Sequence, residues 1–147
     1  LEDTYLNAED PKLQVAFFDI EVAFNKDLGF ADPSDPFNPV TAITAYLTWN
    51  NKLVTLVCKP SDMSQEEAEN IVNRFDDTLL CNTEEELLEN FLTLIEDADV
   101  VSGWNSEGFD IPYTVNRVTK VLSKEDTKRF CLWNCFPKKR EYENEIK

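Results

Sequence analysis

The sequence predicts an α/β fold, in which helices flank a mixed β-sheet. Runs rich in β-branched and aromatic residues, which are typical of strands, alternate with runs whose apolar residues recur at helical spacing. The length of 147 residues suffices for one domain with a hydrophobic core and hardly for two. We therefore expect a single domain over residues 1–147, with its core at about 14–133 and a charged tail at 134–147.

The first predicted strand covers residues 15–22 and is apolar at nearly every position. Such a run is typical of a central strand that is buried on both faces. Residues 23–39 hold three prolines with several Asp and Asn residues, which predicts an irregular loop. Further strands are predicted at residues 41–49, 52–58, 78–81 and 98–104, the first two joined by a tight turn at Asn50 and Asn51.

Two helices are predicted from their N-terminal signals. The pairs Ser64–Glu67 and Thr83–Glu86 match the capping box, in which side chains and backbone N–H groups bond reciprocally at a helix start. Each helix also has a predicted buried side. These sides are Ala68, Ile71, Val72 and Phe75 in the first helix, and Leu87, Leu88, Phe91, Leu92 and Ile95 in the second.

A third helix is predicted from about Ile111 to Leu122, with Arg117 and Lys120 facing solvent, and a last helical piece at 124–133. The order of strand, two-strand hairpin, two helices, strand and helix matches the ribonuclease-H-like plan, in which crossover helices return parallel strands beside the first. Nothing after Leu122 resembles the closing strand and helix of that plan. The fold is therefore expected to be incomplete at its C-terminus.

Composition excludes several classes of function. The chain has no histidine, so its residues can build neither a nucleophile with a histidine base nor a histidine-rich metal centre. The formal net charge of −15 repels nucleic acid and counts against a free-standing, tight DNA binder. It counts less against a site where bound cations reverse the local sign of the charge.

Four scattered cysteines form no disulfide framework, so we expect reduced, mostly buried thiols in a cytoplasmic protein. Cys131 and Cys135 could share a helix face, but no CxxC pair supports structural zinc. No segment has the roughly 20 continuous apolar residues of a membrane helix, and no membrane partner is expected. Because the chain opens at Leu1 rather than Met, we expect a piece of a longer protein or a processed product.

Asp19 and Glu21 lie within the first predicted strand. Alternation along a strand puts both side chains on one face, roughly 6.5–7 Å apart along the backbone. Two carboxylates in an apolar strand repel each other and lose water, which a divalent cation would offset, and oxygen-only ligands favour Mg²⁺ or Mn²⁺. The structural alternative is a strand that ends at Phe18, with both carboxylates solvated at its exit.

The second candidate cluster surrounds Asp110, where a glycine-flanked turn joins a strand to a helix that holds Pro112 in its first turn. Capping of that helix by Asp110 accounts for the residue without any catalytic role. The crossover strand, however, is expected to return beside the first strand and to bring Asp110 near Asp19 and Glu21. Three converging carboxylates suit two divalent cations acting on a phosphodiester.

Both clusters resemble motifs of one family. Phe18, Asp19, Ile20 and Glu21 resemble the first exonuclease motif of family B DNA polymerases, and the segment 103–113, with Asn105 and Phe109 before Asp110, resembles the second. The form of the second motif is most similar to polymerases of T-even-like bacteriophages. The resemblance implies a 3′→5′ proofreading exonuclease domain that works with other polymerase domains on the 3′ end of single-stranded DNA, in the cytoplasm of an infected bacterial host if phage-encoded.

The resemblance also implies roles for individual residues. Asp19 would bridge two Mg²⁺ or Mn²⁺ ions, Glu21 would bind the ion on the nucleophile side, and Asp110 would support the other ion, partly through water. Asn105 and Phe109 would contact the substrate strand, whereas we expect Trp104 to be a core or rim aromatic.

The family's third motif supplies a tyrosine and a fourth carboxylate downstream. Tyr142 is the only tyrosine after Tyr113, and we interpret residues 138–142 as a solvated tail. The domain is therefore expected to be partial and weak or inactive alone. Two alternatives stay open: a stand-alone exonuclease of the same carboxylate superfamily, and a non-catalytic acidic interaction module on the same fold.

Overall fold

The protein is described here from a computed structural model that covers residues 9–140. A five-stranded sheet has the strand order β4-β3-β2-β1-β5. Within these described residues, three α-helices connect or follow the strands, and two short 3-10 helices come after the last one. The strands are β1 (Val15–Val22), β2 (Val40–Leu47), β3 (Lys52–Cys58), β4 (Thr78–Cys81) and β5 (Val100–Ser102). The helices are α1 (Gln65–Val72), α2 (Glu84–Leu94) and α3 (Asp110–Val121), followed by 3-10 helices at Glu125–Phe130 and Leu132–Asn134.

The pairing of the strands confirms the predicted mixed sheet. β2 runs antiparallel to both β1 and β3, so it forms the centre of a meander. β4 is parallel to β3, and β5 is parallel to β1 on the other side. At the hairpin between β2 and β3, Asn51 adopts a φ of 55°, the left-handed conformation that Asn tolerates. The architecture is the α/β, ribonuclease-H-like arrangement that the sequence predicts.

The hydrophobic core lies on one face of the sheet. From β1 it receives Ala16, Phe18 and Ile20, all of which are buried. The ring of Phe18 packs 5.0 Å from the ring of Phe91 on α2. The alternate residues of β1 are exposed, so the prediction of a strand buried on both faces is wrong. Within residues 9–140 the helices that supply the core leave the opposite face of this strand uncovered.

Helix α1 begins as predicted but packs differently. The Ser64 side chain accepts from the Glu67 backbone N–H, and the Glu67 carboxylate accepts from the Ser64 backbone N–H, which completes the capping box. The predicted apolar side is largely not buried, because only Ala68 is fully covered while Ile71 and Phe75 are 42% and 62% exposed. The sequence pattern identifies the apolar side of this helix, but it does not indicate whether another element packs against that side.

Helix α2 confirms its predicted buried side, since Leu87, Leu88, Phe91, Leu92 and Ile95 are all in the core. Only half of the predicted capping box forms. Thr83 Oγ1 accepts from the Glu86 backbone N–H at 3.1 Å. The Glu86 carboxylate accepts instead from the backbone N–H of Asn82, one residue earlier.

Helix α3 holds the loop at residues 23–39, which is irregular as predicted. The Tyr113 hydroxyl donates to the Asn38 carbonyl oxygen at 2.7 Å, and Asn116 Nδ2 donates to the Pro33 carbonyl oxygen at 2.8 Å. The prediction that Arg117 faces solvent is wrong: its side chain is 11% exposed and pairs with Glu84. The same carboxylate accepts from the Val40 backbone N–H at 2.8 Å, which joins α2, α3 and β2. Lys120 is partly exposed and contacts Asp35 and Pro36 of the loop.

Between residues 123 and 140 the described chain forms the two 3-10 helices and no strand. The predicted helical piece at 124–133 is thus 3-10 rather than α-helical. Cys131 and Cys135 share no helix face, because Cys131 ends the first 3-10 helix and Cys135 follows the second. All four cysteines are free, but only Cys81 is fully buried. Tyr142 lies outside the described residues.

No helix within residues 9–140 combines the length and apolar character needed to cross a membrane.

Candidate active site

The open face of β1 carries both predicted strand carboxylates. Asp19 and Glu21 are exposed on the same side as Phe17, whereas Phe18 and Ile20 point into the core. Asp19 pairs in register with Thr44 of β2. The strand continues to Val22, so the alternative in which it ends at Phe18 is wrong. The expectation that the two carboxylates are buried is also wrong, because both are exposed and no element among residues 9–140 covers this side of the strand.

Gly103 brings the loop after β5 against β1. Phe17 and Ser102 are register partners in the parallel pair β1–β5, so Gly103 comes next to Phe18. A Cβ atom added at Gly103 would lie 2.3 Å from the carbonyl oxygen of Phe18, a distance that no side chain tolerates. Only glycine permits this approach of the two backbones.

The turn between β5 and α3 then reverses the chain toward the sheet. Asn105 has a φ of 53° in the left-handed region, and its carbonyl oxygen accepts from the backbone N–H groups of Gly108 and Phe109. The carbonyl oxygen of Ser106, a buried residue, accepts from the backbone N–H of Ile111 at 2.8 Å. These bonds fix the first turn of α3 and with it the direction of Asp110.

Asp110 directs its carboxylate to β1. Its Oδ1 accepts from the backbone N–H of Ile20 at 3.2 Å, and the residue is 4% exposed. The helix begins at Asp110 with Phe109 in the capping position, and no side chain caps it. The prediction that Asp110 is the N-cap is therefore wrong. Capping no longer accounts for a buried carboxylate at this position.

The electrostatics of Asp110 follow from its place between helix and sheet. Burial raises the pKa of its carboxyl group above the usual range. The hydrogen bond from the Ile20 backbone N–H lowers this pKa in part, and the negative charge of Asp19 raises it again. The carboxyl groups of Asp19 and Asp110 are therefore neighbours, and a hydrogen bond between their side chains also raises the pKa of Asp110. They repel each other when both are ionised, a state that a bound cation would stabilise.

The donor set suits a hard divalent cation. Asp19 and Asp110 supply only carboxylate oxygens, the ligands that Mg²⁺ and Mn²⁺ prefer. Glu21 lies on the same strand face, two residues beyond Asp19. Across residues 9–140, no three side chains of Asp, Glu, Cys or His are grouped closely enough to hold a metal ion. The structure thus brings Asp110 to Asp19, while the part of Glu21 in a metal site stays a prediction.

The residues expected to contact substrate lie in the turn. Asn105 is exposed, and its Oδ1 atom lies close over Gly108. Phe109 is half-buried, with its ring 5.2 Å from the ring of Tyr113. Trp104 is 93% exposed, so it is a rim residue rather than a core residue.

Sequence reasoning missed the residues of β2 and β3 that share this face. An open depression of about 440 Å³ lies beside Asp19, and Thr44, Tyr46 and Leu53 line it together with Phe17 and Trp104. Period-two alternation in β2 opposite Asp19 would have indicated Thr44 and Tyr46. The Gly103 contact has a weaker signal, a glycine at the end of a strand.

Comparison with known proteins gives a consistent result. The sequence matches the model of the DNA polymerase family B exonuclease domain over residues 1–147. The DNA-directed DNA polymerase of Escherichia phage RB69 is 28% identical over 151 residues, which cover 88% of this chain and 16% of that protein. The DNA-directed DNA polymerase of Enterobacteria phage T4 is 31% identical over 143 residues, covering 80% of this chain and 15% of that protein.

A third relative, the DNA polymerase catalytic subunit of Equine herpesvirus 2 (strain 86/87), is 49% identical over 45 residues, or 29% of this chain and 4% of that protein. The chain therefore spans only 16% and 15% of the length of the two phage polymerases that it matches. The family model, in contrast, matches the chain from its first residue to its last. This chain belongs to the exonuclease-domain family of the family B DNA polymerases.

Proposed function

We propose that this chain is a proofreading 3′→5′ exonuclease domain, which removes a mispaired 3′-terminal nucleotide from single-stranded DNA by hydrolysis of its last phosphodiester. The observation that carries the proposal is the buried Asp110 carboxylate, which accepts from the Ile20 backbone N–H beside the exposed Asp19. Two ionised carboxylates held side by side destabilise the fold unless a cation lies between them. A purely structural role for Asp110 does not explain why the fold keeps this arrangement.

Asp19 and Asp110 would hold the Mg²⁺ or Mn²⁺ ions, with Glu21 as a further ligand from the same strand face. Held by these carboxylates, such ions would supply the positive charge and the acidified water that hydrolysis of a phosphodiester needs. The protein's part is to keep the Asp110 carboxylate oriented through Ile20 and to leave the Asp19 side open for DNA.

The substrate strand would enter across the turn at residues 103–110. Asn105 is exposed there and offers an amide that can hydrogen-bond a base or a phosphate. Phe109 is held against Tyr113, so it can offer only part of its ring. A domain with an open sheet face suits single-stranded DNA, whose unpaired 3′ end can bend into a shallow site.

The remaining polymerase domains are the expected partners, and the cytoplasm of an infected bacterium is the expected location. The chain alone is expected to be weakly active or inactive, because we interpret residues 138–142 as a solvated tail rather than as the family's third motif. A robust metal-dependent release of mononucleotides from 5′-labelled single-stranded DNA by the purified chain would contradict this expectation.

Metal binding can be tested apart from activity by thermal unfolding with increasing Mn²⁺. A ligand that binds only the folded state at a hundredfold excess over its Kd stabilises by about 2.7 kcal/mol. We expect Mn²⁺ to raise the Tm of the wild type and of the Glu107→Gln control, an exposed carboxylate in the same turn. Asp19→Asn and Asp110→Asn should abolish the rise, whereas an equal rise in all four proteins would refute the site.

One observation favours a second candidate, the acidic interaction module. The carboxylates of Asp19 and Glu21 are exposed on the open face of β1, where they could meet a basic partner as well as a cation. In that case the charge of −15 would serve a basic partner, and Mn²⁺ would leave the Tm of the wild type unchanged.

A further inference from the structure

Residues 124–140 differ in charge from the rest of this acidic chain. They contain six of its 14 Lys and Arg residues and two of its 29 Asp and Glu residues. The chain as a whole repels nucleic acid, whereas a local excess of positive charge attracts phosphate at short range, because salt screens distant charges. Lys138, Lys139 and Arg140 are all exposed at the end of this segment.

The same segment exposes aromatic rings next to the cations. Lys128 Nζ lies 4.5 Å from the centroid of the Phe136 ring, and Lys124 Nζ lies 5.4 Å from it. Trp133 is 89% exposed, although an indole ring is a large apolar surface that usually packs against protein. Aromatic rings interleaved with basic side chains are typical of surfaces that bind single-stranded nucleic acid.

The exposed Trp133 lies at a turn of uncommon backbone conformation. Trp133 and Asn134 both lie in the left-handed region, with φ values of 59° and 56°. This conformation costs an L-residue roughly 1–2 kcal/mol, so the turn at Trp133 is an uncommon one.

The segment is fastened to the body of the domain. Arg129 Nη1 contacts Glu89 Oε2 on α2 at 2.7 Å, and Arg129 Nη2 donates to Thr93 Oγ1 at 3.1 Å. Its far end lies near the loop at residues 23–39. Hydrogen bonds from Ser34 lower the pKa of Asp32, and the positive charge of Lys139 lowers this pKa further. The exposed rings and cations therefore belong to a defined surface that extends toward the loop following Glu21.

We propose that the basic–aromatic patch, formed by Lys124, Trp133, Phe136, Lys138, Lys139 and Arg140, is a second contact for single-stranded DNA, separate from the carboxylates. Trp133 stacks on one base, and the cations neutralise the phosphates on either side of it. An acidic peptide would also meet the cations, but it would gain nothing specific from an exposed indole. The choice of DNA as the nucleic acid rests on the proposed function.

The test is binding of the 147-residue chain to a fluorescein-labelled oligothymidylate by fluorescence anisotropy in EDTA, where no hydrolysis can occur. Removal of a stacked ring typically weakens binding by about tenfold or more, so Trp133→Ala should do so while Trp133→Phe retains most of the affinity. Replacement of Lys138, Lys139 and Arg140 by Gln should lower the slope of log K against log salt by about 2, since each single-strand phosphate contributes about 0.7.

A control that removes three charges elsewhere, Lys12→Gln with Lys52→Gln and Arg74→Gln, should change the affinity and the slope far less. Circular dichroism spectra of all variants show whether the fold is kept. An equal loss in patch and control variants, or no binding by the wild type at low salt, would overturn the proposal. The proposal would also be overturned if the chain bound poly-glutamate as tightly as DNA and Trp133→Ala changed neither affinity.

The outcome is independent of the metal site. If Mn²⁺ does not raise the Tm of the chain but DNA binding still depends on the patch residues, the proposed exonuclease function is refuted and the proposed DNA contact is supported.

Discussion

The two faces of the eight-residue strand β1 differ in burial and in chemistry. On the covered face, Ala16, Phe18 and Ile20 lie in the core, and Phe18 meets Phe91 of α2. On the open face, Phe17, Asp19 and Glu21 are exposed. The covered face fixes where the strand lies, and the open face presents chemistry at that place. A carboxylate on such a strand is positioned by the core behind it.

Ile20 connects the covered face of β1 with the candidate site. The Ile20 side chain is buried in the core while its backbone N–H donates to the Asp110 carboxylate. Core packing therefore sets the position of the donor that orients a carboxylate of the candidate site. Changes on the covered face are expected to lower stability and disturb the site, whereas changes on the open face are expected to affect binding alone.

The largest effect is expected from the covered face. Phe91 is fully buried and its ring lies 5.0 Å from that of Phe18 and 6.1 Å from that of Phe130. Phe91→Ala should lower the free energy of unfolding by about 3–5 kcal/mol, because it leaves a cavity at the centre of the core. Urea unfolding measures this loss, and a loss below that of an exposed site would show that the covered face is not the core.

The next effect concerns the contact between the turn and β1. Gly103→Ala places a methyl group against the Phe18 carbonyl oxygen. The strands must then separate, and overpacking of this kind costs about 1–3 kcal/mol. Gly29→Ala is the control, because its added Cβ meets nothing within 4 Å and only its positive φ is penalised. We also expect Gly103→Ala, unlike the control, to abolish the Mn²⁺-dependent rise in Tm.

A smaller effect, of opposite sign, is expected for Asp110→Asn. The pKa of Asp110 is raised in the folded state, so its ionisation at neutral pH opposes folding. Asparagine cannot ionise but can still accept from the Ile20 N–H. Without metal, the variant should be more stable than the wild type at neutral pH.

The difference should shrink as the pH falls from the raised pKa to the unfolded value of about 3.9, and it should vanish below that value, where both states are protonated. Thermal unfolding of both proteins from pH 3 to pH 8 in EDTA measures this difference in stability. A variant that is less stable than the wild type by the same amount throughout would show that the carboxylate is stabilising and would remove the reason for a cation.

The smallest effect is expected for Phe17→Ser on the open face. Phe17 is 46% exposed and belongs to the wall of the depression beside Asp19. Its loss should change the free energy of unfolding by about 0.5 kcal/mol or less, as for most surface substitutions. A loss comparable to that of Phe91→Ala in urea unfolding would mean that the open face is covered in solution, and the contrast between the two faces would collapse.

Much of the fold could be predicted from local patterns. The bounds of β3 and β4, the capping box at Ser64 and the buried side of α2 all follow from residue spacing within one element. The predicted place of Asp110 near Asp19 followed from the connectivity of strands, and the influence of Asp19 on the pKa of Asp110 agrees with it.

The rest depends on partners that a single element cannot reveal. Alternating exposure of β1 was missed because its apolar run indicates what could be buried, and not whether a layer covers it. Arg117 looked like a solvent-facing residue because its partner, Glu84, is distant in sequence. Asp110 has the chemistry of an N-cap, and only the close approach of β1 turns its carboxylate away from the helix.

The most direct test of the central claim is anomalous diffraction from crystals soaked in Mn²⁺. The claim is that Asp19 and Asp110 form the heart of a divalent-cation site on the open face of β1. We predict an anomalous peak between the carboxylates of Asp19 and Asp110, on the side from which Glu21 can also reach it. Carboxylates that point apart, with no peak between them, would contradict the account.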